Sequence, residues 1–206
     1  MENYANLMFT EAVQELQSAA GSRDRFETFY PHRTQDALSE NDVTFIKSRD
    51  SFYLATVNSE GWPYIQHRGG ARGFVHVAGP TTLICADYSG NKQFISMGNL
   101  QSDPRVSLFF MDYLNHARLK VQGKATLIPV GDADPNVVAK LDQQAAPAER
   151  ILQVEAVAMD WNCAKYIPTL YSEAAIQQVV GSEMGKLRSE NEALRAEVAR
   201  LQGQKS

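Results

Sequence analysis

Cysteine is scarce: the chain has two, Cys85 and Cys163, too few for a disulfide framework, and in a reducing compartment both are expected as free thiols. Histidine is sparse as well. His32, His67, His76 and His116 show no HxxxH spacing and the cysteines no CxxC, so no zinc site is expected. No apolar run approaches the ~20 residues that span a bilayer. The opening Met-Glu-Asn-Tyr lacks the cationic start and apolar stretch of a secretory signal, so a cytoplasmic chain with no membrane partner is the expectation. Positive charge is not in excess either. With 20 Lys+Arg against 24 Asp+Glu, a formal charge of -4 leaves no basic field to condense on nucleic acid. Hydrolytic chemistry finds no support, because no Ser/His/Asp set or carboxylate pair stands at a telling spacing.

What is present is a globular composition, 44% hydrophobic over 206 residues, enough for one core and an appendage. Leu7, Val13, Leu16 and Ala20 predict an amphipathic helix over 7–20, ended by Gly21. A polar stretch then runs to Pro31. Ser39 with Asp42 three residues on predicts an N-cap and a short helix through Val43, Phe45 and Ile46. Strands are predicted over 52–58 and 62–67, joined by Ser59-Glu60-Gly61 as a hairpin, then over 73–77, 83–86, 106–111, 117–128 and 151–159. Residues 117–128 alternate, with Leu119, Val121, Gly123, Ala125 and Leu127 on one face and Arg118, Lys120, Gln122, Lys124 and Thr126 on the other, the mark of a half-buried strand. Short helices are expected at Phe94–Met97 and Pro135–Leu141, and a loop or helix end over 143–147. Links this short suit antiparallel pairing, so the prediction is a mainly β, α+β chain of six or seven antiparallel strands in a barrel with peripheral helices.

The C-terminal segment carries heptads. With a at Met184, Asn191 and Val198, d falls on Leu187, Leu194 and Leu201, with Val180 one d upstream. Glu183, Glu190 and Glu197 take g; Arg188, Arg195 and Gln202 take e. Parallel in-register strands set Glu183 against Arg188 and Glu190 against Arg195 of the second strand, whereas antiparallel strands would oppose like charges. Asn191 at a fixes register and favours two strands. A parallel homodimeric coiled coil is expected, too short to be stable alone and therefore reinforcing a dimer made elsewhere. A DNA-binding zipper is excluded, because the entering segment Ser172-Glu173-Ala174-Ala175-Ile176-Gln177-Gln178 has no positive charge. The expected organisation is a helical segment over 1–39, a barrel over 40–171 and the coil over 172–206.

Tyr53-Leu54-Ala55-Thr56-Val57-Asn58, Trp62-Pro63-Tyr64-Ile65, Ser89-Gly90-Asn91-Lys92 and Asp103-Pro104-Arg105-Val106-Ser107-Leu108-Phe109-Phe110, followed by Leu119-Lys120-Val121-Gln122-Gly123-Lys124-Ala125, stand in the order and spacing of a known family. The chain resembles the pyridoxamine 5'-phosphate oxidase family of FMN-binding split barrels over about residues 40–170. The resemblance implies a split barrel that binds FMN at a homodimer interface and acts on a small-molecule substrate. It implies a phosphate grip from His67, Arg68, Gly69 and Gly70 and from Asn91 and Lys92, chemistry that forked guanidinium, ammonium and helix N-terminal N–H groups suit. It also implies ring contacts from Cys85, Ala86, Asp87 and Tyr88, a cation at Arg118 beside the ring's pyrimidine edge, and an aromatic from the partner at Trp161.

One departure bears on the substrate. Where pyridoxamine phosphate oxidases proper carry an Arg-rich segment, this chain reads Asn162-Cys163-Ala164-Lys165-Tyr166-Ile167-Pro168, with one cation, which argues against vitamin B6 oxidation. Two readings stay open: an FMN-dependent oxidoreductase, and a non-catalytic split-barrel binder of flavin or haem. The haem form would draw an axial ligand from His67, His76 or His116.

Overall fold

The computed structural model describes residues 1–33, 35–141, 147–161 and 164–203, with only the backbone described at Gln178 and Val179. It divides into two compact units, Met1–Asp112 with His116–Tyr166, and Tyr113–Asn115 with Ile167–Ser206.

In the first unit the helix predicted over 7–20 is two helices, α1 (Tyr4–Met8) and α2 (Glu11–Ala19). Asn3 caps α1 by accepting from the Ala5 N–H, and extended Thr10 restarts the helix, so the break falls at Phe9. There the Phe9 ring meets Phe26 and Tyr30 edge-on at 5.6 and 5.0 Å. Gly21, at φ 66, ends α2 as expected. The polar stretch that follows holds α3 (Arg23–Phe29) and a 3-10 turn at Tyr30–Arg33, elements the apolar pattern does not announce. α4 (Glu40–Lys47) opens on the predicted Ser39, which exchanges capping hydrogen bonds with Asp42.

Seven antiparallel strands follow: β1 (Ser51–Val57), β2 (Pro63–Gly69), β3 (His76–Val77), β4 (Thr82–Tyr88), β5 (Arg105–Asp112), β6 (Ala117–Pro129) and β7 (Ala148–Trp161), in the order β2-β1-β5-β6-β7-β4-β3. α5 (Ile95–Ser102) lies between β4 and β5, and the short α6 (Pro135–Val138) precedes β7. The strand predicted over 73–77 shrinks to two residues. Gly73 sits at φ 85, outside the extended region, and Phe74 and Val75 drop into the core instead. α6 stops at Val138, short of Leu141, and most of the loop expected over 143–147 falls outside the described residues.

Alternation along the strands makes the core. Phe52 and Leu54 of β1, Val106, Leu108 and Phe110 of β5, and Leu119 and Val121 of β6 point inward and are almost wholly buried. Each such side chain contributes about 1.5–3 kcal/mol of burial. Phe52 packs on Phe74 and Phe110 at ring distances of 5.8 and 5.2 Å. β6 bulges against β7 at Gln122–Gly123, where a Cβ on Gly123 would lie 2.7 Å from both the Glu155 carbonyl and Val154 Cγ1. Only glycine fits there.

The outward face of β2, β1 and β5 is apolar, with Ile65, Val57 and Tyr53 exposed and Phe109 and Met111 partly so. On β6 this face continues as Arg118, Lys120 and Gln122, as the alternation predicts.

In the second unit α7 is one continuous helix of 31 residues, Glu173–Gly203, about 46 Å long at 1.5 Å per residue. Its heptad residues Met184, Leu187, Leu194, Val198 and Leu201 share one face and are all exposed in the single chain. Lys186 and Arg200 pair with Glu183 and Glu197 along the helix. No described helix is long and apolar enough to cross a membrane.

Candidate functional site

Strand parity sorts the residues after the first hairpin. On β2, Tyr64, Gln66 and Arg68 turn to one face while Ile65 and His67 turn to the other. Arg68 reaches the carboxylate of Asp87 on β4, with Nη1 on Oδ1. The β4–β7 register sets Arg150 opposite Asp87, and Arg150 Nε donates to Asp87 Oδ2 at 2.7 Å. All three side chains are largely buried, and the carboxylate is clamped by two guanidiniums.

The chain leaves β4 through Tyr88 and turns sharply. Lys92 and Phe94 adopt left-handed backbone at φ 61 and φ 54, a conformation non-glycine residues rarely take. Within the turn the Gln93 N–H donates to Asn91 Oδ1 at 3.2 Å, and α5 begins directly behind it. Ser96, in the first turn of α5, donates to Gln66 Oε1 at 2.8 Å and ties the helix to β2. Together these groups enclose a cavity of about 110 Å³, bounded by Tyr64, Gln66 and Arg68, by Asp87 and Tyr88, by residues 90–97, and by Arg150. Two guanidiniums and the Lys92 ammonium stand against the Asp87 carboxylate and the Glu149 carboxylate that pairs with Arg150 at 2.9 Å, so the corner carries net positive charge.

An anionic oxygen fits this corner on a specific ground. Among the described residues, the buried side-chain nitrogens or oxygens without a hydrogen-bond partner are Arg68 Nε and Arg118 Nε. A buried donor left unpaired costs about 1–3 kcal/mol, so a site that leaves one is shaped for an acceptor. Lys92 makes no ion pair among the described residues. The corner can therefore hold a phosphate between guanidinium and ammonium groups.

The sequence profile described as pyridoxamine 5'-phosphate oxidase matches residues 38–160, more than half of the chain. The chain belongs to this family. Its fold is the family's split barrel. No curated protein matches it in sequence. Similar solved structures include a protein described as a candidate pyridoxamine 5'-phosphate oxidase from Lactobacillus delbrueckii, 21% identical over 62% of this chain and 97% of that one, with a TM-score of 0.49. An FMN-binding protein from Syntrophomonas wolfei is 18% identical over 72% of this chain and 97% of that one, with a TM-score of 0.46. An F420 reductase is 18% identical over 57% and 94% of the two chains, with a TM-score of 0.40. The family assignment rests on the profile match.

Of the positions the family resemblance singles out, Arg68, Asp87, Tyr88, Asn91 and Lys92 meet in the corner. Seven others lie elsewhere. His67 faces outward against the Tyr53 ring at 5.6 Å. Gly69 ends β2, and Gly70 serves packing, since a Cβ there would lie 2.7 Å from Phe74. Cys85 points into the main core and Ala86 into a second cluster with Ile84, Leu141 and Ile151. Burial pushes the Cys85 thiol up to about 12, which makes it inert as a nucleophile. Arg118 stands at the start of β6, paired with Met111, on the outward face. Trp161 spends its indole N–H on Asp42 Oδ1 at 2.8 Å and packs edge-on against Phe45 at 4.6 Å, so within its own chain it secures α4 to the sheet. Cys163 and Asn162 lie outside the described residues.

Sequence reading missed Tyr64, Gln66, Ser96 and Arg150. Parity with Arg68 was the available signal for Gln66 and Tyr64; nothing local marks Arg150, which the β4–β7 register brings in from 63 positions away. His67, His76 and His116 occupy separate elements. No group of three or more His, Cys, Asp or Glu among the described residues could hold a metal ion.

Proposed function

We propose that this chain is an FMN-dependent oxidoreductase that acts on a small organic substrate as a homodimer. The observation that carries the reading is the cationic corner, where Arg68 Nε and the Lys92 ammonium, both without a partner among the described residues, converge with the left-handed turn ahead of α5. Arg68 and Lys92 grip the cofactor phosphate, and Asp87 with Arg150 holds the Arg68 guanidinium in place. Bound FMN supplies the electron chemistry. The family resemblance would set Arg118, whose Nε has no partner among the described residues, beside the ring's pyrimidine edge, where a cation would stabilise negative charge.

Two features support the dimer. A corner of about 110 Å³ accommodates a phosphate, whereas whole-ligand pockets run to about 300–1,000 Å³, so the ring extends beyond the corner and needs a cover. The apolar outward face of β2, β1 and β5 is left exposed in the single chain, which suits burial against a second copy. The heptad face of α7 is the second contact, pairing Leu187, Asn191, Leu194, Val198 and Leu201 with their counterparts in a parallel coil.

The test is anaerobic reduction. FMN-loaded protein is mixed with NADH or NADPH, the visible flavin band is followed, and oxygen or a flat organic acceptor is then admitted. Bleaching that reverses with acceptor is expected. A flavin that neither nucleotide reduces favours a non-catalytic flavin carrier, a reading consistent with a corner whose Asp87 carboxylate is already clamped twice.

A further inference from the structure

A second concave site lies on the outward face of the sheet, between the N-terminal helices and the β6–β7 pair. The backbone ties the two layers together, with the Glu2 N–H bonded to the Val157 carbonyl at 2.7 Å. Two side chains span the seam. The Tyr30 hydroxyl donates to Asp160 Oδ1 at 3.2 Å, and Arg33 Nη1 reaches the same oxygen at 3.1 Å. Asp160 stands directly opposite Lys120 in the β6–β7 register and its side chain is nearly buried. The groove measures about 730 Å³, within the range of small-molecule sites.

The lining is specific in character. Aromatic rings form the walls, and cations lie on them: Arg33 Cζ sits 4.2 Å above the Phe29 ring, and Arg25 Cζ 4.8 Å above Phe26. Cation–π seating holds each guanidinium in place, and Arg33 spends one donor, Nη1, on Asp160. Arg25, Arg33 and Lys120 thus line the groove against the single carboxylate of Asp160, leaving an excess of donors aimed at an anion between flat apolar surfaces. Lys120 is two residues beyond Arg118 on the same face of β6, about 7 Å along the strand.

We propose that this groove is the substrate subsite and takes a planar aromatic carboxylate, its ring against Phe29 and Tyr30 and its carboxylate on Lys120 and Arg33. The substrate role rests on the flavin reading above; the binding itself does not.

The experiment uses full-length protein, with and without FMN, titrated calorimetrically with 2-naphthoate and with the neutral analogue naphthalene-2-methanol. Wild-type chain should bind 2-naphthoate in both forms, at least tenfold tighter than the alcohol. Lys120→Gln and Phe29→Ala, both at solvent-reachable positions, should each weaken it about tenfold and leave FMN uptake unchanged. In the FMN-loaded form, 2-naphthoate should shift the visible flavin band. Equal affinity in wild type and both variants, or displacement of 2-naphthoate by FMN, would overturn the site. Binding without any band shift would overturn its role as substrate subsite. Failure of wild-type chain to take up FMN counts against the flavin reading alone, because the FMN-free titration still reports on the groove.

Discussion

Lys92 and Arg68 are expected to contribute unequally to the cofactor. Lys92→Ala removes one charge-assisted hydrogen bond, about 1.5–3 kcal/mol, and should weaken FMN binding roughly 10- to 100-fold in a fluorescence-quenching titration without changing the melting temperature. Arg68→Ala should weaken FMN at least as much and also lower stability, since it removes half of the clamp on buried Asp87. Unchanged FMN affinity in both variants would show that the phosphate is held elsewhere. The Cys85 thiol, pushed up to about 12 by burial, should resist iodoacetamide at neutral pH in a Cys163→Ser background and react once the chain is denatured. Burial, and then the Asp160 carboxylate, push the Tyr30 phenol up to about 12. A proton held more tightly in the fold than in the unfolded chain contributes stability below the ordinary phenol value of 10, and that contribution is lost as pH rises from 10 to 12. Denaturant melts of wild type and Tyr30→Phe should therefore differ at pH 8 and converge across that window. At this scale the family resemblance brought Arg68, Asn91 and Lys92 to attention, and the structure sets all three around one corner. The same resemblance named His67, which strand alternation turns to the face opposite Arg68.

The elements whose chemistry is local read most faithfully. Ser39 and Asp42 announce α4 three residues apart, and both capping bonds are made. Ser39→Ala should cost about 1 kcal/mol of unfolding free energy in a denaturant melt, and Ser39→Asp should restore most of it. β6 reads correctly through its length because period-two alternation persists for twelve residues, and its register against β7 turns on one position. Gly123→Ala should destabilise the chain beyond the ~1 kcal/mol of a typical substitution, since the Cβ meets backbone that cannot withdraw. An unchanged midpoint would contradict the close approach there. The misreadings have physical causes. α3 is held by an Arg23–Glu27 ion pair and by rings packing on a neighbouring layer, neither of which yields an apolar stripe. The strand predicted over 73–77 looked extended from Phe74, Val75 and Val77 alone, while Gly73 at φ 85 broke it.

At the scale of the molecule, composition bounded the answer by exclusion, and pairing over long sequence distances decided the rest. The strand order joins β1 to β5 and β4 to β7, neighbours that no local pattern specifies, and that order is what brings Arg150 to Asp87 and Lys120 to Asp160. The long exposed seam of α7, the apolar outward face and a corner too small for a whole cofactor all concern surfaces that one chain leaves open. The central claim is accordingly that FMN is held by two copies together, its phosphate in the Arg68–Lys92 corner. Sedimentation velocity of FMN-loaded protein, followed at the visible flavin band over a dilution series, tests this most directly. The flavin signal should travel with a species of twice the 22.9 kDa chain mass and fall away as dilution separates the copies. Flavin that stays bound to a single 22.9 kDa chain would contradict the account.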